Sequence, residues 1–144
     1  MKISTRGRYA LRIMVDLAEH KDEGYIPLKA MSERQDISLK YVEAIMSSLS
    51  KANLVDAKNG KSGGYRLNRE PEDYRLDEIL IVTEGDLAPV ECLSCDINNC
   101  KRANECKTLP MWKEFYQIIR NYFQGISLSS LLANDNQYFL GDGI

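Results

Sequence analysis

Three short segments of helical periodicity, followed at once by two alternating stretches around a glycine-rich tip, constrain the fold more than any other feature of this chain. From Ser4 to about His20, the residues Ala10, Ile13, Met14, Leu17 and Ala18 recur at intervals of three and four, with Ser4 or Thr5 available as N-cap. Pro27 suits the first turn of a second helix that carries Leu28 and Met31. Gln35-Asp36-Ile37 then makes a tight connection, and Ser38 caps a third helix with Leu39, Val42, Ile45, Met46 and Leu49 on one face. Helices joined by so short a turn form a helix-turn-helix or, more plainly, a three-helix core.

The next stretch separates the two. Leu54 to Lys58 and Gly64 to Leu67 alternate as strands, and Asn59-Gly60-Lys61-Ser62-Gly63 between them is a hairpin tip. Three helices and a hairpin make a winged helix. A phosphate-binding P-loop is excluded, because Gly60-Lys61-Ser62 sits in a hairpin, lacks the upstream glycine and opens no helix. Leu76 to Glu84 reads as a fourth helix stopped by Gly85 and packed back on the head. After Thr108-Leu109-Pro110, a helix-start signal, Trp112, Phe115, Tyr116, Ile119, Tyr122, Phe123 and Ile126 fall at helical intervals. So small a head does not obviously bury the whole stripe, so a dimer interface in a homodimer is expected, with core packing inside the monomer as the alternative. Gly125 interrupts that helix, and Ser127 caps a short continuation. The expected layout is therefore a DNA-binding head over residues 1–85, a cysteine-containing loop over 86–109, a dimerisation helix with its continuation over 110–133 and a tail over 134–144.

Charge sharpens the reading of the head. The net charge is −2, yet residues 1–75 carry +3 and residues 76–144 carry −5, a basic bias in the half that contains the helix-turn-helix. Ser38, Lys40, Tyr41, Glu43 and Ala44 on the third helix are placed to meet base edges or adjacent phosphates in a major groove. Arg6 at the start of the first helix and Lys58 and Lys61 on the hairpin are expected to hold the nucleic-acid backbone; Arg8 and Arg12 share the outer face with Arg6, where phosphate contact and a plain solvated surface are both open. Double-stranded DNA with a near-palindromic operator is the expected partner. No apolar run approaches the ~18 residues of a membrane span, and the N-terminus lacks a signal-peptide core, so the protein is expected in the cytoplasm.

All four cysteines, Cys92, Cys95, Cys100 and Cys106, fall within one polar stretch. In a reducing compartment such a cluster binds metal or senses redox state. The spacing matches neither the common ferredoxin runs nor the paired knuckles of a zinc ribbon, so it leaves open an iron–sulfur cluster, zinc or metal-free thiols. A small thiol oxidoreductase using Cys92 and Cys95 is the remote enzymatic alternative; the chain has no βαβ unit to carry it, and no enzyme is expected.

Ser4-Thr-Arg-Gly-Arg-Tyr-Ala-Leu-Arg12, Ser38-Leu-Lys-Tyr-Val-Glu43, Gly63-Gly-Tyr-Arg-Leu67 and the cysteine loop followed by a Trp-containing helix together resemble the IscR-like (Rrf-two) family of bacterial winged-helix transcription regulators. The resemblance covers nearly the whole chain. It implies a homodimer crossing through the long C-terminal helices, recognition helices in successive major grooves and wings in the flanking minor grooves. It also implies an iron–sulfur cluster, with a two-iron form favoured and a four-iron form allowed, whose redox state or reaction with nitric oxide controls DNA binding, typically as a repressor. The family's three cysteines fall on Cys92, Cys100 and Cys106. Relatives of the IscR type place a histidine three residues beyond the last cysteine, where this chain has Leu109; the only histidine is His20. The fourth ligand is then Cys95, a carboxylate, His20 of the partner subunit or an exogenous group. A winged-helix regulator with zinc or free thiols in the loop, acting with a partner protein, is the other reading.

Overall fold

The structure is a computed structural model, and it describes residues 1–133. The expected tail over 134–144 lies outside the described residues. Six α-helices of the described chain are α1 (Thr5–Glu19), α2 (Leu28–Gln35), α3 (Leu39–Lys51), α4 (Leu76–Glu84), α5 (Leu109–Gln124) and α6 (Leu128–Leu132), with a hairpin of β1 (Val55–Lys58) and β2 (Gly64–Leu67) after α3. The fold is mainly α, with a two-stranded antiparallel sheet.

Local chemistry sets the helix ends. The Ser4 hydroxyl accepts the Gly7 N–H at 3.1 Å and the Ser38 hydroxyl accepts the Tyr41 N–H at 3.3 Å, satisfying donors that the first helical turn leaves free. Pro27 stands at the N-cap of α2, one position before the expected first turn. Between α2 and α3 the chain turns through Asp36 in the left-handed region, φ 53°, which a short polar side chain tolerates better than most.

The core collects the apolar faces of α1 and α3 with Met31, Leu54, Val55, Tyr74, Leu76 and Ile79. Val42, Ile45, Met46 and Leu49 are buried as their spacing requires, whereas Leu39 is 49% exposed. Leu39 is the first residue of the helix, where the chain is still entering the bundle, so sharing the phase of Val42 and Ile45 does not bring it under cover.

The hairpin pairs Val55 with Leu67, Asp56 with Arg66, Ala57 with Tyr65 and Lys58 with Gly64. Ile26 adds a short third rung, exchanging backbone hydrogen bonds of 2.8 and 2.9 Å with Tyr65. This close approach explains Gly64: its φ is 150°, and a Cβ there would overlap the Ile26 carbonyl. Tyr74 locks the hairpin to the helices. Its buried hydroxyl donates to the Leu54 carbonyl at 2.8 Å and accepts the N–H groups of Asn68 and Arg69 at 3.0 and 3.2 Å.

The C-terminal part returns to the head. Leu76 donates its N–H to the Ile126 carbonyl, and Leu128 donates its own to Tyr74. Ile126 and Leu128 thereby enter the main core, and α6 lies against α1. A second cluster, Leu80, Leu87 and Ile119, packs with Ile3, Leu11, Tyr116 and Phe123. It joins α4, the lead into the cysteine loop, the start of α1 and one face of α5.

Candidate functional site

Ser38, the cap of α3, and Lys40, Glu43 and Ala44 on the helix are exposed, while Tyr41 is half-buried with its ring edge-on to Tyr9 at 5.6 Å. Glu43 faces the wing across a groove of about 390 Å³ that is also lined by Leu28, Lys58, Gly60, Lys61 and Tyr65. The fold thus brings together Glu43, Lys58 and Lys61 from separate elements. Lys58 is partly engaged, its ammonium 5.6 Å from the Tyr25 ring, which also carries the Arg66 guanidinium at 4.5 Å. Lys61 stands exposed at the tip.

The arginines of α1 are less free than an outer face implies. Arg6 is half-buried; its guanidinium donates to the Ser48 hydroxyl on α3, and its Nε is buried without a hydrogen-bond partner among the described residues. Arg12 reaches Gln35 at the end of α2, donating to both its backbone and side-chain oxygens, and Arg8 donates to Thr5 at 3.0 Å. Arg6 is therefore built into the support of α3. Sequence spacing carried no signal for this, because Arg6 and Ser48 are distant in the chain.

All four cysteines are free thiols. Cys92, Cys95 and Cys100 line one cavity of about 420 Å³ together with Glu91, Ile97 and Asn99. Cys106 is not among its lining residues. It sits just before α5, its sulfur 3.4 Å from the Thr108 hydroxyl. Hydrogen bonding from the Thr108 side chain, aided by backbone N–H groups, holds the Cys106 thiol below the ordinary thiol range, which favours the thiolate that ligates metals. His20 is occupied elsewhere: Nδ1 lies 2.8 Å from the Asp16 carbonyl oxygen. Among the described residues no three His, Cys, Asp or Glu side chains stand close enough together to hold a metal ion. The donor set nevertheless fits an iron–sulfur cluster, since four protein thiolates are a complete ligand shell and three of these thiols already share one cavity.

The aromatic stripe of α5 divides into two faces. Ile119 is 7% exposed, and with Tyr116 and Phe123 it packs inside the chain. Phe115 and Tyr122 remain 41% and 40% exposed, and Trp112 is half-buried beside Phe115. Met111 and Ile118, which lie outside that stripe, are 52% and 58% exposed. Positions 111, 115, 118 and 122 step by four, three and four, the spacing of a coiled-coil seam. That spacing was available in the sequence.

Residues 3–134 match the Rrf2 family, described as an iron-dependent transcriptional regulator. Among curated relatives, the HTH-type transcriptional regulator IscR of Aliivibrio salmonicida is 34% identical over 142 residues, covering 99% of this chain and 83% of that protein. IscR of Photorhabdus laumondii is 33% identical, with 93% of this chain and 80% of that protein covered. Among solved structures, CymR, the global cysteine regulator of B. subtilis, superposes with a TM-score of 0.75 at 31% identity over 94% of this chain and 99% of its own. T. potens IscR gives 0.73 at 33%, covering 99% of this chain and 94% of its own. The chain belongs to the Rrf2 family as an IscR-like winged-helix transcription regulator, a DNA-binding protein and not an enzyme.

Proposed function

We propose that this chain is a homodimeric, sequence-specific regulator whose operator binding is controlled by an iron–sulfur cluster held in the Cys92 to Cys106 loop. The observation that carries this reading is the cavity shared by Cys92, Cys95 and Cys100, set between the head and the helix that presents an unpartnered apolar seam. Cys106 completes the thiol set from the start of α5. The two-iron form is favoured, and a bound cluster supplies a centre that reacts with oxidants or nitric oxide. Protein residues do the rest. Cys106, predisposed to the thiolate, ties the loop to α5; Met111, Phe115, Ile118 and Tyr122 pair with a second copy; the wings and reading helices then face one near-palindromic operator.

On α3, Ser38, Lys40, Tyr41, Glu43 and Ala44 read the major groove or its phosphates, with Lys58 and Lys61 holding the backbone from the wing. The working units are the head (1–85), the loop (86–109) and the dimer helix (110–133), in the cytoplasm. No helix among the described residues is long and apolar enough to cross a membrane. The test is anaerobic reconstitution with iron and sulfide. A brown protein with visible charge-transfer absorption and near-equal iron and sulfide is expected. A colourless protein with stoichiometric zinc would replace the cluster by a structural metal.

A further inference from the structure

The last residue of α4, Glu84, lies where the head gives way to the lead into the cysteine loop. Its carboxylate accepts the Ser4 N–H at 3.2 Å and the Ser4 hydroxyl, while the same hydroxyl accepts the Gly7 N–H at 3.1 Å. A negative charge at a helix N-terminus is favourable, and linked hydrogen bonds of this kind polarise one another. Gly7 is what admits the carboxylate, since a Cβ at that position would overlap Glu84 Oε1. An apolar contact runs in parallel. Leu87, two residues beyond Gly85, is buried with Leu80 and Ile119 in the cluster against which Ile3 packs. The loop lead, the dimer helix and the segment that enters α1 therefore meet at one junction.

One residue past the α1 N-terminus, Arg6 donates to Ser48 on α3, and Ser48 in turn donates to the Ala44 carbonyl at 3.2 Å. We propose that Glu84 is a positioning residue for DNA reading: by fixing Ser4 it sets Arg6, and through Ser48 it sets the angle of α3, so that rearrangement of the cysteine loop reaches the reading helix along this route. The proposal rests on the loop being the control element. The Leu87 lead, buried with Leu80 and Ile119, ties the cysteine loop to the head, so a change in the loop's path would be felt at this junction. Such a route changes the response to the cluster, beyond the affinity itself.

The experiment measures the operator dissociation constant of the full-length dimer with and without its cluster, for the wild type, Glu84→Ala, Glu84→Gln and Ser48→Ala. A coupling of ordinary size makes the wild-type ratio roughly 5–150-fold. Glu84→Ala and Ser48→Ala are expected to collapse that ratio to within about twofold of unity, with Glu84→Gln, which keeps an acceptor of the same shape, retaining most of it. In the cluster-free protein, Glu84→Ala is also expected to speed amide hydrogen exchange in the first turn of α1 and around Ser48, a readout that needs no cofactor. A wild-type ratio that survives both alanine substitutions overturns the route while leaving cluster control standing. A wild-type ratio of unity overturns cluster control and the route together. If Glu84→Ala does not fold, Ser48→Ala decides alone, since Ser48 lies outside the buried core.

Discussion

The carboxylate of Asp16, 1% exposed in the middle of the head, is held by two nitrogens of Arg34 at 2.6 and 2.9 Å. Gln35 adds a third hydrogen bond at 2.9 Å. This pair fastens the last turn of α2 to α1 immediately before the chain turns into α3. Arg34→Ala leaves a buried carboxylate unpaired, and about 3 kcal/mol of stability is expected to go with it, the low end for a broken buried pair because Arg34 is itself a third exposed. Urea unfolding at neutral pH measures this directly.

The same pair gives an acid signature. Burial pushes the Asp16 carboxyl up, but hydrogen bonds from Arg34 and Gln35 and the charge of Arg34 outweigh it and hold the group below the ordinary carboxylate value. A depressed folded-state value stabilises the fold above the unfolded value, about 3.9, and the contribution disappears as pH falls through the folded one. Asp16→Asn is therefore expected to flatten the dependence of unfolding free energy on pH below about 4. An unchanged acid slope would assign that dependence to other carboxylates.

The two faces of α5 are expected to separate by mutation. Ile118→Glu, on the exposed seam, should yield a folded monomer by sedimentation, with little change in helix content. Ile119→Ala, one residue on and buried, should cost about 2–4 kcal/mol. A dimer that survives Ile118→Glu would move the interface elsewhere.

At the wing, Lys61→Ala is expected to weaken specific and non-specific DNA binding alike and to reduce the slope of log affinity against log salt by about 0.9, one phosphate contact. An unchanged slope would take the tip off the DNA.

Much of this architecture could be read from local chemistry. Ser4 and Ser38 cap where their side chains and the following periodicity place them, and the glycine-rich tip turns where it must. What escaped was non-local or depended on direction. Periodicity put Leu39 in phase with Val42 and Ile45 but could not say that the helix begins outside the core. The backbone pairing of Ile126 and Leu128 with Tyr74 and Leu76 joins segments some fifty residues apart, and no local pattern encodes it. The stripe assigned to the dimer interface includes Ile119, which the fold buries inside the chain, and the half-buried Tyr116 and Phe123, which pack beside it; it omits Met111 and Ile118, which the fold leaves bare. The cysteines were legible as a group, yet the grouping of Cys95 with Cys92 and Cys100 around one cavity required the loop's path.

Cluster control of DNA binding is tested most directly by a single titration. The reconstituted protein is equilibrated anaerobically with operator DNA at fixed salt, and the measurement is repeated after the cluster has been removed by chelation. A change in affinity of roughly 5–150-fold between the two states, abolished when Cys92, Cys100 and Cys106 are all replaced by alanine, is the expected result. Equal affinity in both states would contradict it.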